Sequence, residues 1–197
     1  MGKKNKDKKK NSSQEKFEKK YTGLEDELKK TRKKIQKLLK KNAVMDVNDY
    51  VLKDKDGKDK KLSEMFGDKS DLIVIHNMGK SCSYCTLWAD GFSGVKYFIE
   101  KKTAFVVISP DAPEVQKAFA AERGWKFDMY SGKDSTFIKD MGYLTDAGSY
   151  WPGASVFHKD TDGSIRRITK TFFGPGDDYC SVWHFFDLLP ESKENSK

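Results

Sequence analysis

The stretch Gly79-Lys80-Ser81-Cys82-Ser83-Tyr84-Cys85 governs the reading of the whole chain, because of what stands on either side of it. Just before it, Leu72 to Asn77 is a nearly continuous apolar run, the character of a strand buried on both faces. After it, Ser83 to about Lys101 reads as a helix. Two cysteines three apart at a strand-to-helix junction share one face of the first helical turn. Their Cα separation then falls in the roughly 4.4–6.8 Å that a disulfide needs. The first cysteine lies at the helix N-terminus, where free N–H groups and the helix dipole favour an anion. Both effects stabilise a thiolate, and Lys80 adds a nearby positive charge. The residues therefore assign Cys82 as the attacking thiol and Cys85 as the thiol that resolves the mixed disulfide.

Working outward, Thr103 to Ser109 is a second buried strand. Pro113 opens a helix running to about Arg123, a place where proline is tolerated. Phe127 to Tyr130 reads as a short strand and Ser135 to Met141 as a short helix. Ala154–His158 and Ile165–Thr171 form a hairpin across Lys159-Asp160-Thr161-Asp162-Gly163. Ser181 to Leu189 is a last helix. Upstream, Val47 to Leu52 alternates, Lys53–Gly57 is a turn signal, and Leu62–Gly67 a helical turn. The order is strand, helix, strand, helix, hairpin, helix. That is an α/β sheet with a parallel half and an antiparallel half.

Charge divides the 197 residues unevenly. Residues 1–62 carry 22 Lys+Arg against 11 Asp+Glu, and residues 63–197 carry 16 against 19. The formal charge of +8 thus belongs to the first third, while the rest holds every Trp and Cys and is large enough to bury a core. Residues 1–13 read as a disordered Lys-rich tail, since nothing apolar follows Met1. Residues 14–45 read as an amphipathic helix whose stripe runs Phe17, Tyr21, Leu24, Leu28, Thr31, Ile35, Leu38. We expect it to lie against its own domain, since Lys-rich flanks repel an identical partner in a coiled coil. Residues 46–190 form the main domain and 191–197 a C-terminal tail. No apolar run approaches the ~20 residues of a membrane span, and the charged start lacks the apolar core of a secretory signal. The expectation is a soluble, cytoplasmic protein. Specific nucleic-acid binding is not expected, because the Lys tract holds no Arg and no stacking aromatics.

The cysteine pair admits three readings: a redox dithiol, a zinc site completed by Cys180 and His184, or inert thiols on a fold that has lost its chemistry. The redox reading ranks first and needs no cofactor, since the dithiol itself carries the electrons. His76, at the strand end six residues before Cys82, is the candidate to take the Cys85 proton. His158 reads as structural. Tyr84, Trp88, Trp125 and Trp151 are aromatics that could border the site.

The segment Cys82-Ser83-Tyr84-Cys85-Thr86-Leu87-Trp88-Ala89-Asp90-Gly91-Phe92 resembles the signature of an uncharacterised bacterial family described as thioredoxin-like, or as predicted dithiol–disulfide oxidoreductases. Gly124-Trp125-Lys126-Phe127, Pro152–Phe157 and Phe186–Pro190 fit the same family, over about residues 21–191. The resemblance implies a thioredoxin-like fold of the alkyl hydroperoxide reductase/thiol-specific antioxidant branch: a central mixed sheet flanked by helices, with the basic helix added at the N-terminus. Pro152, just before its strand and facing the cysteines, stands at the usual place for a cis peptide in thioredoxin-like folds, where it positions substrate; Lys80, Tyr84, Trp88 and Trp151 are the candidate substrate-binding residues. A Tyr between the cysteines is similar to glutaredoxins and leaves glutathione open as reductant. The expected activity is thiol–disulfide exchange on protein or small-molecule disulfides. The rival is a redox-silent module that binds acidic partners through its basic N-terminal region. A thiol peroxidase ranks lower. Peroxiredoxins carry Pro-x-x-x-Thr/Ser-x-x-Cys, and counting back from Cys85 gives Met78 and Cys82, from Cys82 Ile75 and Gly79. No Arg stands just before Pro152 to orient a peroxide.

Overall fold

A computed structural model describes residues 2–42 and 44–190. The tail expected over 191–197 and the residue Met1 lie outside the described residues. The chain divides into two compact units, Met1–Asn42 and Ala43–Lys197.

The first unit is one helix, α1 (Gly2–Asn42). It begins at Gly2, where the composition suggested a disordered tail through Ser13. Lys, Glu and Gln are good helix formers, and no proline interrupts the segment, so the Lys tract continues the helix in the N-terminal direction. Phe17 and Tyr21, four apart, stack at 6.1 Å between centroids.

The second unit holds one eight-stranded mixed sheet in the order β1-β8-β7-β4-β5-β6-β2-β3. Its strands are β1 (Met45–Val47), β2 (Val51–Lys53), β3 (Asp59–Lys61), β4 (Asp71–His76), β5 (Ala104–Ser109), β6 (Asp128–Ser131), β7 (Gly153–Lys159) and β8 (Ile165–Phe172). The centre is parallel, β4 with β5 and β5 with β6, and the other pairings are antiparallel. Four helices attend it: α2 (Ser83–Glu100), α3 (Pro113–Arg123), α4 (Phe137–Asp140) and α5 (Val182–Phe186). A 3₁₀ turn spans Leu62–Phe66.

The alternating run Val47–Leu52 is not one strand. It divides into β1 and β2, which stand first and seventh in the sheet order. Four residues from Val47 to Val51 reach at most about 14 Å, whereas six strand spacings in a flat sheet cover about 29 Å. The sheet must therefore curl until its ends lie close together.

Curling gives the sheet two unlike faces. The inner face packs Leu72 and Val74 of β4, Val106 and Ile108 of β5 and Phe157 of β7 against Leu52, Leu62, Phe66, Phe137 and Tyr143. On the outer face, Ile75, Phe105, Val107 and Met129 pack beneath α2 and α3 with Trp88, Phe92 and Trp125. Adjacent residues of a strand fall into different clusters, as the two-residue period of a strand requires. On α2 the buried residues Cys85, Trp88, Ala89 and Phe92 follow helical spacing, which lays one stripe on the sheet. Pro113 opens α3, and Gly124 ends it at φ +69°, a left-handed cap that glycine adopts at no steric cost.

Candidate redox site

The cysteines sit at the C-terminal end of β4, where the chain leaves the sheet and starts α2. Cys82 is the N-cap of α2, with extended backbone angles (φ −91°, ψ 104°). Its Sγ accepts the backbone N–H of Cys85 at 3.1 Å, so the thiol does the work of a capping oxygen on an unpaired helical donor. Thr86 Oγ1 donates back to the Cys82 carbonyl at 3.1 Å. Cys82 is half-buried; Cys85, one turn in, is buried. Burial pushes the Cys85 thiol well up, its hydrogen bond with Cys82 pushes the same way, and the Met78 N–H, 3.4 Å from Cys85 Sγ, opposes them. The pair thus holds one thiol within reach of solvent and one kept protonated and protected. Both cysteines and Cys180 are free thiols.

The five residues between β4 and Cys82 are fixed at several points. Asn77 N–H donates to the Ile108 carbonyl at 2.9 Å, and Asn77 Oδ1 accepts the Gly79 N–H at 2.7 Å. Lys80 N–H donates to Asp111 Oδ2 at 2.7 Å, and Cys82 N–H to the Gly79 carbonyl at 3.1 Å.

Several expected residues are placed elsewhere. His76 does not meet the cysteines. It is an even-numbered β4 residue, so it points to the inner face, where it stacks on Tyr143 at 3.6 Å and meets Ser155 Oγ at 3.0 Å. Ser155 donates its proton to Tyr143 Oη, so His76 Nε2 is the donor to Ser155 and Nδ1 is left as a bare acceptor with no partner. Desolvation first, then the charges of Arg167 and Lys170, hold its imidazole well below 6.5. It is a neutral core residue, not the base for Cys85. Trp88 is only 3 % exposed and donates to Asp177 at 3.3 Å; it forms the floor and cannot touch a substrate. The Lys80 ammonium lies 5.4 Å from the Phe119 centroid, and only the Lys80 backbone serves the cysteine loop. Trp151 is exposed and packs edge-on against Phe172. Trp125 is buried, its Nε1 on Asp90 at 2.8 Å.

Pro152 and Tyr84 are placed as follows. Pro152 is buried and precedes Gly153, which pairs with His76, so it stands at the end of the sheet from which the cysteine loop departs. Its carbonyl accepts the Phe173 N–H at 2.9 Å, and no peptide bond among the described residues is cis. Tyr84 is half-exposed beside the pair, 5.7 Å from Trp183. Cys180 is buried in the cluster that holds Cys85. Among the described residues no group of three or more His, Cys, Asp or Glu is arranged to hold a metal. His158 pairs with Asp71 at 2.7 Å, far from the cysteines in the β4–β7 register. A cavity of about 490 Å³ between α3 and the β2–β3 hairpin, lined by Lys55, Lys117, Trp125 and Tyr130 among others, includes neither cysteine.

Asp111 was not anticipated, being 31 residues from Lys80. The signal for it is topological: the loops after two neighbouring parallel strands leave the same end of a sheet.

The described geometry can be set beside known proteins. Chloroplastic peroxiredoxin Q of Populus jackii is 30% identical over 127 residues, 64% of this chain and 59% of that one. The chain thus spans about three fifths of that relative's length. Chloroplastic peroxiredoxin Q of Sedum lineare is 28% identical over 127 residues, covering 64% and 67%. Among solved structures, peroxidoxin BcpB of Mycobacterium tuberculosis superposes with a TM-score of 0.54 at 24% identity, covering 66% of this chain and 84% of that one. A PrxQ variant of Xylella fastidiosa gives 0.56 at 14% identity, covering 74% and 92%. The fold is thioredoxin-like, as in these peroxiredoxin structures. A family model matches residues 6–197, and on that match the chain belongs to the family described as "Bacterial protein of unknown function (DUF899)".

Proposed function

We propose that this chain is a thiol-based redox enzyme in which Cys82 and Cys85 cycle between dithiol and disulfide, with a hydroperoxide as oxidant. The observation that carries the reading is the Cys85 N–H donated to Cys82 Sγ at 3.1 Å, which aims the positive end of α2 at the half-buried sulfur. The Cys82 thiolate attacks the peroxide, takes one oxygen to become a sulfenic acid and releases an alcohol or water. The Cys85 thiol then displaces hydroxide from that sulfur, giving the disulfide and a second water. A dithiol reductant from the cytoplasmic thiol pool restores the pair. Peroxide moves ahead of a disulfide as oxidant because the curated relatives are named peroxiredoxin Q. The chain lacks the peroxiredoxin Pro-x-x-x-Thr/Ser-x-x-Cys spacing, and the hydrogen bond from the Cys85 N–H is the contact that holds Cys82 Sγ at the helix start.

The second reading is thiol–disulfide exchange on the same cycle, favoured by the C-x-x-C itself. Hydrogen peroxide and a small-molecule disulfide, assayed on one preparation with dithiothreitol as reductant, separate the two. Cys82→Ser is expected to abolish either turnover; full turnover in that variant overturns the assignment. Cys85→Ser, reduced and then assayed without added reductant, is expected to make one equivalent of product and stop as a sulfenic acid or mixed disulfide. A redox titration should give a reversible two-electron transition between about −120 and −270 mV. Its absence would favour the redox-silent module that binds through its basic N-terminal region.

A further inference from the structure

We infer that Asp111 is a positioning residue for Cys82, acting through the Lys80 backbone; the inference rests on the redox reading above and names a further member of that site. Asp111 follows β5, at the same end of the sheet as the cysteine loop. Its Oδ2 accepts the Lys80 N–H at 2.7 Å, two residues before the nucleophile. A carboxylate accepting a backbone N–H makes a shorter and stronger bond than a neutral acceptor does. Gly79 turns at φ +104°, and a Cβ there would stand 2.8 Å from Asp111 Oδ1. The carboxylate therefore lies against a bare Cα, which only glycine permits.

The carboxylate is itself braced. Asp111 N–H donates to Ser109 Oγ at 3.3 Å, and Ser109 Oγ lies 3.4 Å from Asp111 Oδ2. The buried Gln116 of α3 donates Nε2 to Ser109 Oγ at 2.8 Å and to the Tyr130 carbonyl at 3.0 Å. A side-chain chain thus runs from α3 through Ser109 to the peptide that leads into the N-cap. Cys82 can accept the Cys85 N–H only while its own backbone stays extended, and the Gly79–Lys80 peptide sets the direction from which the chain enters that residue. Asp111 holds that peptide, and so holds the reduced sulfur on the helix terminus.

The test reads the pH dependence of Cys82 alkylation by iodoacetamide in the full-length, reduced protein, by peptide mass, together with peroxide turnover. Asp111→Ala is expected to move the alkylation midpoint up and to lower the neutral-pH rate about tenfold. Asp111→Asn, whose amide oxygen still accepts the Lys80 N–H, is expected to stay within about twofold of the wild type. Asp111→Glu keeps the charge but shifts it by one methylene, and is expected to behave like the alanine variant; it serves as the readout if Asp111→Ala fails to fold. Profiles of Asp111→Ala or Asp111→Glu that overlay the wild type overturn the inference. So does an Asn variant as impaired as Ala, which would assign the effect to charge rather than to the hydrogen bond. A wild type without turnover would sink the redox reading alone, since the alkylation profile is read without an oxidant.

Discussion

At the scale of single residues, the two cysteines differ in depth. Cys82 meets solvent and carries the helix-terminal N–H; Cys85 is buried, and its thiol is held protonated. His76 makes a separate prediction. The native state keeps its imidazole neutral, while the unfolded chain takes up a proton near the ordinary value of 6.5. Stability is therefore undiminished above about pH 6.5 and falls as the pH drops below it, by about 1.4 kcal/mol per unit. Urea melts at pH 7, 6 and 5 are expected to show that slope, and His76→Gln to flatten it; equal slopes in the two proteins would refute the account. The position of the two cysteines at the start of α2 was legible because spacing and helix position are local. The place of His76 depends on strand parity: Leu72 and Val74 share the inner face, so a residue two further on must share it too. Six residues of sequence separation had suggested proximity to Cys82, but the face of the sheet overrides it.

At the scale of elements, the strand–helix–strand order around the cysteines was readable because apolar runs and helical stripes are strong local signals. Leu72–Asn77 and Thr103–Ser109 reappear as β4 and β5, and the hairpin of Ala154–His158 and Ile165–Thr171 as β7 and β8. The division of Val47–Leu52 was not readable, because alternation says that residues form strands and not which neighbours they join. The β7–β8 hairpin carries a testable close approach. A Cβ on Gly153 would stand 2.2 Å from the Thr171 carbonyl oxygen and 2.6 Å from Tyr143 Cε1. Backbone cannot retreat there, since Gly153 is paired with Phe172 on one side and His76 on the other. Gly153→Ala is expected to cost about 3 kcal/mol or more in denaturant unfolding, and a loss under about 1 kcal/mol would show the hairpin free to shift.

At the scale of the whole molecule, both core clusters, among the described residues, are built within the second unit. Removing residues 1–42 is therefore expected to leave a folded protein whose melting temperature stays close to that of the full chain. Loss of cooperative melting would show that α1 completes the core. The charge asymmetry was plain in the composition, and so was the existence of α1. Its start at Gly2 was not, because the composition of the Lys tract argues against burial and says nothing against a solvated helix. No helix among the described residues is long and apolar enough to cross a membrane.

The sheet ends in two very short strands. β1 is Met45-Asp46-Val47 and β3 is Asp59-Lys60-Lys61, three residues each, with a charge at four of the six positions. A free strand edge is a template on which another chain can add itself, and long apolar edges seed fibrils. Here each template offers only three residues, and an incoming strand would have to lie beside Asp46 at one edge or Asp59, Lys60 and Lys61 at the other. These borders protect a β-rich chain from assembling with its copies at high concentration.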